Sequence, residues 1–231
     1  MKDLIISNAF KSVQGTIEQR KTSKVLASSA WQSSLTESEQ IDLIKRLLDL
    51  AAHAPYHYKS AERYKASGKT SALPFRAYTL TSNDCRKLAT LLENTQPAPG
   101  KITNMLWATE VLMMITWLPD VFGEQPLEYE FEPVPFLGNL RNMEHIAATG
   151  AAINNILLGA TAEGFPNYWS SGGALRHKVA RTILDIPMDE ILLGSLFVFP
   201  KDAHQRDVEI KPGKLRDEGK NSQDWSVRVR L

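Results

Sequence analysis

The spacing of apolar residues predicts one long, buried helix in the second half of the chain. From Asn142 to Gly164, apolar side chains occupy nearly every face of a helix, and only a few Asn and Thr residues interrupt them. At roughly 1.5 Å per residue this helix would be about 30 Å long. Its small residues from Ala147 to Ala152 would let neighbouring backbones approach closely. We therefore predict a central helix in a core shared by two subunits, and its end at Gly164 and Pro166.

Shorter patterns predict the other regular elements. Thr36 and Glu39 have capping-box spacing and open a helix whose apolar stripe includes Ile41 and Ile44. Alternating runs, or continuous runs of β-forming residues, predict strands. The predicted strands are residues 76–81, 111–118, 191–200 and 226–231, and the further predicted helices lie within 1–16 and at 84–93 and 174–184.

Two segments have no regular pattern. Residues 56–70 are mostly polar, and residues 119–141 contain four prolines among acidic and aromatic residues. Because proline interrupts helices, 119–141 cannot form one long helix, and we predict a covering loop. Its aromatic residues, among them Phe122 and Phe136, either cover a ligand or pack against the central helix.

The composition narrows the class of protein. With 231 residues, 43% of them hydrophobic, the chain can form a single domain over residues 1–231. A formal net charge of +1 gives no general attraction for nucleic acid or an anionic membrane. Cys85 is the only cysteine, the histidines lack metal-site spacing, and the most apolar run, 111–118, is too short to span a bilayer. We expect a cytoplasmic protein without a metal, a nucleic-acid partner or a membrane segment.

Two groups of cations are the candidate chemistry. Arg20, Lys21, Thr22 and Lys24 lie within five positions, and Lys214 and Arg216 form a second group in the polar tail. Arg and Lys are natural partners of phosphate, and a hydroxyl adds a neutral donor. From the residues alone, the first group fits either a phosphate site or a solvated basic turn. The chain lacks the glycine signatures of dinucleotide and nucleoside triphosphate sites and the nucleophile motif of hydrolases.

The order of these features resembles the nitroreductase family. The resemblance covers a cationic motif after the first helix, Ala54-Pro55, the run 73–76, the small-residue helix, and a turn with Trp169 before a strand ending in Pro200. It implies an α+β nitroreductase-like fold with a mixed central sheet flanked by helices. It also implies an intertwined homodimer with the long helix at its interface, FMN bound between the subunits, and residues 201–231 extended over the partner.

The resemblance further implies which residues hold FMN. The two cationic groups would bind its phosphate, ribityl chain and N1 edge, and the turn at 169–172 would offer backbone donors towards N5 and O4. Residues 56–70 are an insertion close to the active site, and the family's Asn and Gln before 73–76 are missing. His57 and Tyr58 could replace them, or His57 could be simply solvated. The candidate cofactor-binding residues are Arg20, Lys21, Thr22, Lys24, His57, Ser71, Trp169, Ser170, Ser171, Gly172, Lys214 and Arg216.

The implied function is the reduction of a small conjugated acceptor, such as a nitroaromatic compound or a quinone, with electrons from NAD(P)H in a two-electron ping-pong reaction. No catalytic side chain is required, since the flavin ring carries the chemistry and water can supply protons. An alternative is a flavin- or ligand-binding dimer on the same scaffold without reductase turnover, which the insertion and the missing Asn and Gln favour. A basic-patch nucleic-acid binder is disfavoured by the net charge.

Overall fold

The computed structural model describes residues 7–66, 68, 70–95, 98–122, 136–215 and 225–229. The helices are α1 (Asn8–Gln19), α2 (Glu37–Ala52), α3 (Arg63–Ala66), α4 (Ser82–Glu93), α5 (Lys101–Ala108), α6 (Leu140–Ala162) and α7 (Lys178–Ile183). The strands are β1 (Ser23–Leu26), β2 (Phe75–Thr81), β3 (Val111–Trp117), β4 (Asn167–Ser170), β5 (Ile191–Val198) and β6 (Glu209–Pro212). Two short 3-10 helices cover Gly173–Arg176 and Ala203–Gln205.

The strands form a central sheet and a separate ribbon. The sheet has the order β2-β3-β5-β4, and each neighbouring pair is antiparallel. Strands β1 and β6 pair antiparallel, and a parallel bridge between Thr22 and Asn167 joins this ribbon to β4. The predicted α+β fold with a helix-flanked sheet is confirmed. A mixed sheet was predicted, and within the described ranges its only parallel pairing is the bridge between Thr22 and Asn167.

Strand β3 divides the interior into two cores. All of its residues are buried, as its continuous apolar run predicts. Side chains of a strand alternate between faces, so Leu112 and Met114 pack against α4 and α5 in one core. Met113 and Ile115 pack with α2 and α6 in the other. The sheet therefore has helices on both faces, and each face has its own hydrophobic core.

Helix α2 begins as predicted, and most of its predicted apolar stripe is buried. The Thr36 hydroxyl accepts a hydrogen bond from the Glu39 backbone, and the Glu39 carboxylate accepts one from the Thr36 backbone, so the capping box is confirmed. Ile41 is 41% exposed, whereas Leu43 is fully buried. Ile44, Leu47 and Ala51 of the predicted stripe are buried in the core shared with α6, so the stripe is confirmed except at Ile41.

Helix α6 is the predicted central helix, with 23 residues. It ends at Ala162, and Gly164 has the left-handed φ of 84° that the sequence predicts there. Its inner face carries Ile153 and Leu157, both buried, while Met143 on another face is 63% exposed. Helix α1 packs near α6 and has no buried residue, although its apolar residues form a stripe. A broad apolar surface thus lies open on α1 and α6.

Several boundaries differ from the sequence predictions. Trp169 and Ser170 belong to β4 rather than to a turn. The helix predicted at 174–184 is split at His177, whose backbone is extended between a 3-10 helix and α7. The covering loop predicted at 119–141 ends earlier, because Leu140 already begins α6, and its residues 123–135 lie outside the described ranges. The described residues 226–229 of the predicted last strand have no strand assignment.

Candidate functional site

A cavity of about 860 Å³ lies beside the β1–β6 ribbon. It is bordered by the residues after α1, by β4, by the start of α5 and by the segment after β6. Five of its lining side chains are cationic, and none of the described lining residues is acidic. The lining residues are Arg20, Thr22, Lys24, Lys101, Tyr168, Lys211, Pro212, Gly213, Lys214 and Leu215.

Strand alternation explains why part of the cationic motif faces this cavity. Arg20 follows α1 with extended backbone, and the extended chain continues into β1. Alternate residues of an extended chain point to the same side, so Arg20, Thr22 and Lys24 all line the cavity. Lys21 points the other way, into a smaller cleft beside Phe165. Because Lys21 lies between these alternate residues, the structure does not bring it to the predicted site.

Pairing of β1 with β6 brings the tail to the same cavity. Lys24 lies directly opposite Lys211, and the segment after β6 adds Gly213 and Lys214. A Cβ on Gly213 would lie 3.2 Å from the Thr22 Cβ, so a side chain there would crowd the cavity wall. Two groups of cations that are distant in sequence thus meet at one cavity through Arg20, Lys24 and Lys214. Arg216, the other predicted member, lies outside the described residues.

Lys24 has an unfavourable environment for its charge. Burial lowers its pKa from the ordinary value, and the nearby charges of Lys101 and Lys211 lower it further. The Lys24 ammonium lies 5.5 Å from the centre of the Tyr168 ring, which provides a cation–π contact. Lys211 also pairs with Glu209 at 2.8 Å, but both side chains of that pair are largely exposed. A bound anion would relieve the remaining repulsion.

Lys101, Tyr168 and Lys211 are cavity residues that the sequence analysis missed. Lys101 is the first residue of α5, where a cation opposes the helix dipole. This position would have been a signal only if α5 had been predicted, and the sequence analysis predicts no helix there. Lys211 and Tyr168 gave no comparable signal, because only strand pairing places them against Lys24.

The segment 169–172 has a different arrangement from the predicted one. Trp169 lies on the opposite face of β4 from Tyr168, packed over Gly194, where a Cβ would lie 2.3 Å from the Trp169 indole nitrogen. The buried Ser170 hydroxyl accepts a hydrogen bond from Gly172 N–H at 3.1 Å, so this predicted backbone donor is already engaged. The Ser171 carbonyl accepts one from Arg176. None of residues 169–172 is among the described lining of the basic cavity.

No protein-family model and no curated protein matches the chain. Solved structures do match it. A nitroreductase-like family protein from Bacillus cereus is 18% identical with a TM-score of 0.53, covering 87% of this chain and 88% of that chain. A nitroreductase family protein from Clostridium novyi NT is 18% identical with a TM-score of 0.50, covering 84% and 89%. A nitroreductase with bound FMN from Desulfitobacterium hafniense DCB-2 is 12% identical with a TM-score of 0.54, covering 97% and 100%.

The chain has a nitroreductase-like fold. This confirms the resemblance of the sequence to the nitroreductases at the level of fold. No helix in the described ranges is long and apolar enough to cross a membrane. Among the same residues, no group of three or more His, Cys, Asp or Glu is arranged to hold a metal ion.

In this nitroreductase-like fold, the predicted insertion at 56–70 is anchored to the protein. Tyr64 is buried, and its hydroxyl lies 3.0 Å from the Pro119 carbonyl and 3.2 Å from the Asp189 carbonyl. Burial raises the pKa of Tyr64 to about 12, so the phenol stays protonated at neutral pH. Arg63 stacks over Phe122 at 4.6 Å and thereby attaches the insertion to the start of the covering loop.

Two predicted cofactor residues in this region lie away from the basic cavity. His57 pairs with Glu144 on α6 at 2.9 Å and is largely exposed. Ser71 lines a separate cavity of about 360 Å³ with Leu48 and Ala152, and its hydroxyl accepts a hydrogen bond from Leu73 N–H. The structure therefore brings neither residue to Arg20 and Lys24, because the insertion packs on the α6 side of the sheet.

A second charged cluster lies near the start of β2, around the buried Glu190. The Glu190 carboxylate pairs with Arg76 at 2.8 Å and accepts hydrogen bonds from Tyr78 at 2.9 Å and Thr116 at 2.6 Å. Burial raises the pKa of Glu190 and of Tyr78. The thiol of Cys85, also buried, has a pKa raised to about 12 and is therefore a poor nucleophile. These groups support the interior of the sheet.

Proposed function

We propose that this protein is an FMN-dependent oxidoreductase that uses NAD(P)H to reduce a small conjugated acceptor, such as a nitroaromatic compound or a quinone. The observation that carries the proposal is the basic cavity, where cations from residues 20–24 and 211–214 meet. A phosphate monoester needs such donors, because charge-assisted hydrogen bonds from Arg and Lys are the strong ones. The Desulfitobacterium nitroreductase, with bound FMN, supports the choice of ligand.

The residues of the cavity can be matched to the phosphate, the ribityl chain and the ring of FMN. Arg20 and Lys214 would bind the phosphate, since the guanidinium fork matches phosphate oxygens. The Thr22 hydroxyl would reach the ribityl chain, and Lys24 would face the N1 edge of the ring. Gly213 leaves the wall opposite Thr22 free of a side chain, so a ligand can approach the backbone closely. Arg216 stays a candidate for the phosphate.

When bound, FMN supplies the two-electron chemistry of a ping-pong reaction with NAD(P)H and then with the acceptor. The residues of the chain bind the phosphate, orient the ring and place positive charge beside its N1 edge. No side chain is assigned as a proton donor, because water can serve that purpose. The Glu190 carboxylate is held by its own partners inside the sheet and has no part in the reaction.

We also propose a homodimer of single-domain subunits, each spanning residues 1–231. The open apolar surface of α1 and α6, with Phe10 56% and Met143 63% exposed, fits a second copy of the chain. Residues 201–212 of the predicted extension pack on their own subunit, through the buried Ala203 and the β1–β6 ribbon. Further along the tail, Trp225 and Val227 are exposed, as expected if its end extends over the partner and 226–231 add a strand there. Light scattering should give the dimer mass, and Met143→Asp on α6 should shift the protein towards monomer. A wild-type monomer would contradict the dimer.

An absorbance spectrum tests the function directly. Purified protein should carry flavin absorbance or gain it when FMN is added, and NADH or NADPH should bleach the bound flavin. An added quinone or nitroaromatic acceptor should then restore the colour. Protein that binds no FMN in this titration would contradict the proposal.

The alternative is a flavin- or ligand-binding dimer without reductase turnover. It is favoured by the anchored insertion and by the absence of the family's Asn and Gln before 73–76. Such a protein would bleach with dithionite but not with NADH or NADPH, so the same spectrum separates the two functions.

A further inference from the structure

A second cleft lies on the other face of the extended chain that carries the cationic motif. Lys21 and Ser23 alternate with the residues that line the basic cavity, so their side chains point to the opposite side. There they meet the end of α6 and the segment after β5, which contributes Lys201 and His204. This cleft, the α6 cleft, has a volume of about 230 Å³ and shares none of its described lining residues with the basic cavity.

The α6 cleft is positively charged. Lys21 and Lys201 line it, and none of its described lining residues is acidic. The Lys201 ammonium lies 4.6 Å from the centre of the Phe165 ring, which is also part of the wall. The nearby Glu163 carboxylate is engaged by Arg46 at 2.7 and 2.9 Å. Because cations are favourable at the C-terminal end of any helix, these charges need a further observation before they indicate a ligand.

Asn167 provides that observation. It is 1% exposed, and its amide nitrogen donates to the Thr161 hydroxyl at 2.9 Å and to the Phe165 carbonyl at 3.0 Å. The Thr161 hydroxyl donates its own proton to the Leu157 carbonyl, so these acceptors fix the orientation of the amide. The Asn167 oxygen is buried and has no hydrogen-bond partner among the described residues, which is unfavourable for an acceptor. Since Asn167 lines the α6 cleft, a hydroxyl group bound there can donate to this oxygen.

We propose that the α6 cleft binds the phosphate monoester of a small polyol, such as glycerol 3-phosphate. Lys21 and Lys201 bind the phosphate through charge-assisted hydrogen bonds, and a hydroxyl group of the polyol donates to the Asn167 oxygen. A cleft of about 230 Å³ is smaller than the usual site for a drug-sized ligand, so neither FMN nor NAD(P)H can be its ligand. The site is separate from the proposed FMN site and does not require flavin.

Isothermal titration of the full chain with glycerol 3-phosphate tests the site. Excess FMN is present in order to occupy the basic cavity. Lys21→Ala and Lys201→Ala should each weaken the binding of glycerol 3-phosphate about tenfold, because each removes a charge-assisted contact. Inorganic phosphate should bind more weakly than glycerol 3-phosphate, and glycerol alone should give no measurable binding.

A matched pair of ligands tests the role of the Asn167 oxygen. Propyl phosphate has the charge of glycerol 3-phosphate but no hydroxyl group, so it should bind wild-type protein more weakly. In Asn167→Ala, the two ligands should bind with equal affinity, because the acceptor that distinguishes them is absent. Thermal unfolding checks this variant, since Asn167 also joins β4 to the end of α6. The comparison on wild-type protein holds even if the variant does not fold.

Two lysine variants serve as controls. Lys214→Ala, in the basic cavity, should leave the affinity for glycerol 3-phosphate unchanged. Lys45→Ala on α2, where the side chain is 69% exposed, should also leave it unchanged. Equal weakening in all four lysine variants would mean that net charge determines binding, and it would contradict the site.

The outcomes separate the α6 cleft from the proposed FMN site. Binding that is weakened in Lys21→Ala and Lys201→Ala but retained in Lys214→Ala supports the cleft. If Lys214→Ala alone loses binding, the phosphate occupies the basic cavity and the α6 cleft is not a site. If wild-type protein binds no glycerol 3-phosphate, or binds propyl phosphate equally well, the proposal is wrong. A failure to bind FMN would contradict only the proposed function.

Discussion

Two charged clusters among the described residues, around Glu190 and around Lys24, are arranged in opposite ways. Around Glu190, the carboxylate has one cation and two hydroxyl donors as partners, and the cluster is buried inside the sheet. Around Lys24, like charges face one another across a ribbon beside an open cavity. A cluster in which opposite charges pair with each other can support the fold, whereas a cluster of one sign is suited to a ligand of opposite sign. This contrast distinguishes a structural from a binding role without any ligand in place.

The largest expected effect is a loss of stability when the Glu190 cluster is removed. Glu190→Ala would leave the Arg76 guanidinium and two hydroxyl groups without their acceptor, so we expect the free energy of unfolding to fall by about 3 kcal/mol. Urea unfolding measures this free energy. Glu209→Ala removes the exposed partner of Lys211 and should change the stability by less than about 0.5 kcal/mol. Equal losses in both variants would contradict the structural role of the Glu190 cluster.

A smaller effect is expected on ligand affinity within the cationic motif. Lys24→Ala should weaken FMN binding about tenfold or more, because a charge-assisted contact contributes roughly 1.5–3 kcal/mol. Lys21→Ala removes the same charge from the other side of the chain and should leave the affinity unchanged. Fluorescence titration with FMN compares the two. Equal weakening would mean that net charge, and not the cavity, determines binding.

The smallest expected effect is a gain in stability, whereas Glu190→Ala is expected to lose stability. Lys24→Met removes repulsion from Lys101 and Lys211, so the FMN-free variant should be more stable than wild type by about 0.5 kcal/mol. The pKa of Lys24 is lowered in the folded protein, so this side chain opposes folding below its folded pKa. As the pH rises towards the ordinary pKa of 10.5, wild type should approach the variant. Thermal melts at pH 7 and near pH 10 measure the difference, and a less stable variant at pH 7 would contradict it.

The fold was predictable where local patterns and burial agree. The end of α6 at Gly164 and the capping box at Thr36 follow from rules that act within a few residues. The buried strand β3 follows from its continuous apolar run. The β1–β6 ribbon was missed because its four-residue strands mix charged, polar and apolar residues and carry no clear period. Trp169 was predicted in a turn because the Ser and Gly residues after it are turn-forming.

The candidate site was predictable only in part. Residue type indicated an anion-binding motif at 20–24, and alternation along an extended chain now explains why Lys21 is not part of the cavity. Lys101 was missed because α5, of which it is the first residue, was not predicted. His57 and Ser71 were assigned from sequence order. In the structure, Tyr64 and Arg63 anchor this region, and both residues lie away from the basic cavity.

The amino-acid sequence by itself determined the long helix α6, the capped start of α2, the buried strand β3 and which residues carry charge, because helix caps, apolar periods and alternation depend on neighbours in the chain. Only the tertiary structure decided that Lys24 faces Lys211 and Lys101, and that Arg76 finds Glu190. Strand pairing and sheet packing join residues that are distant along the chain, and no local pattern records those pairs. Such pairs decide whether the charges of a cluster pair with each other or are open to a ligand.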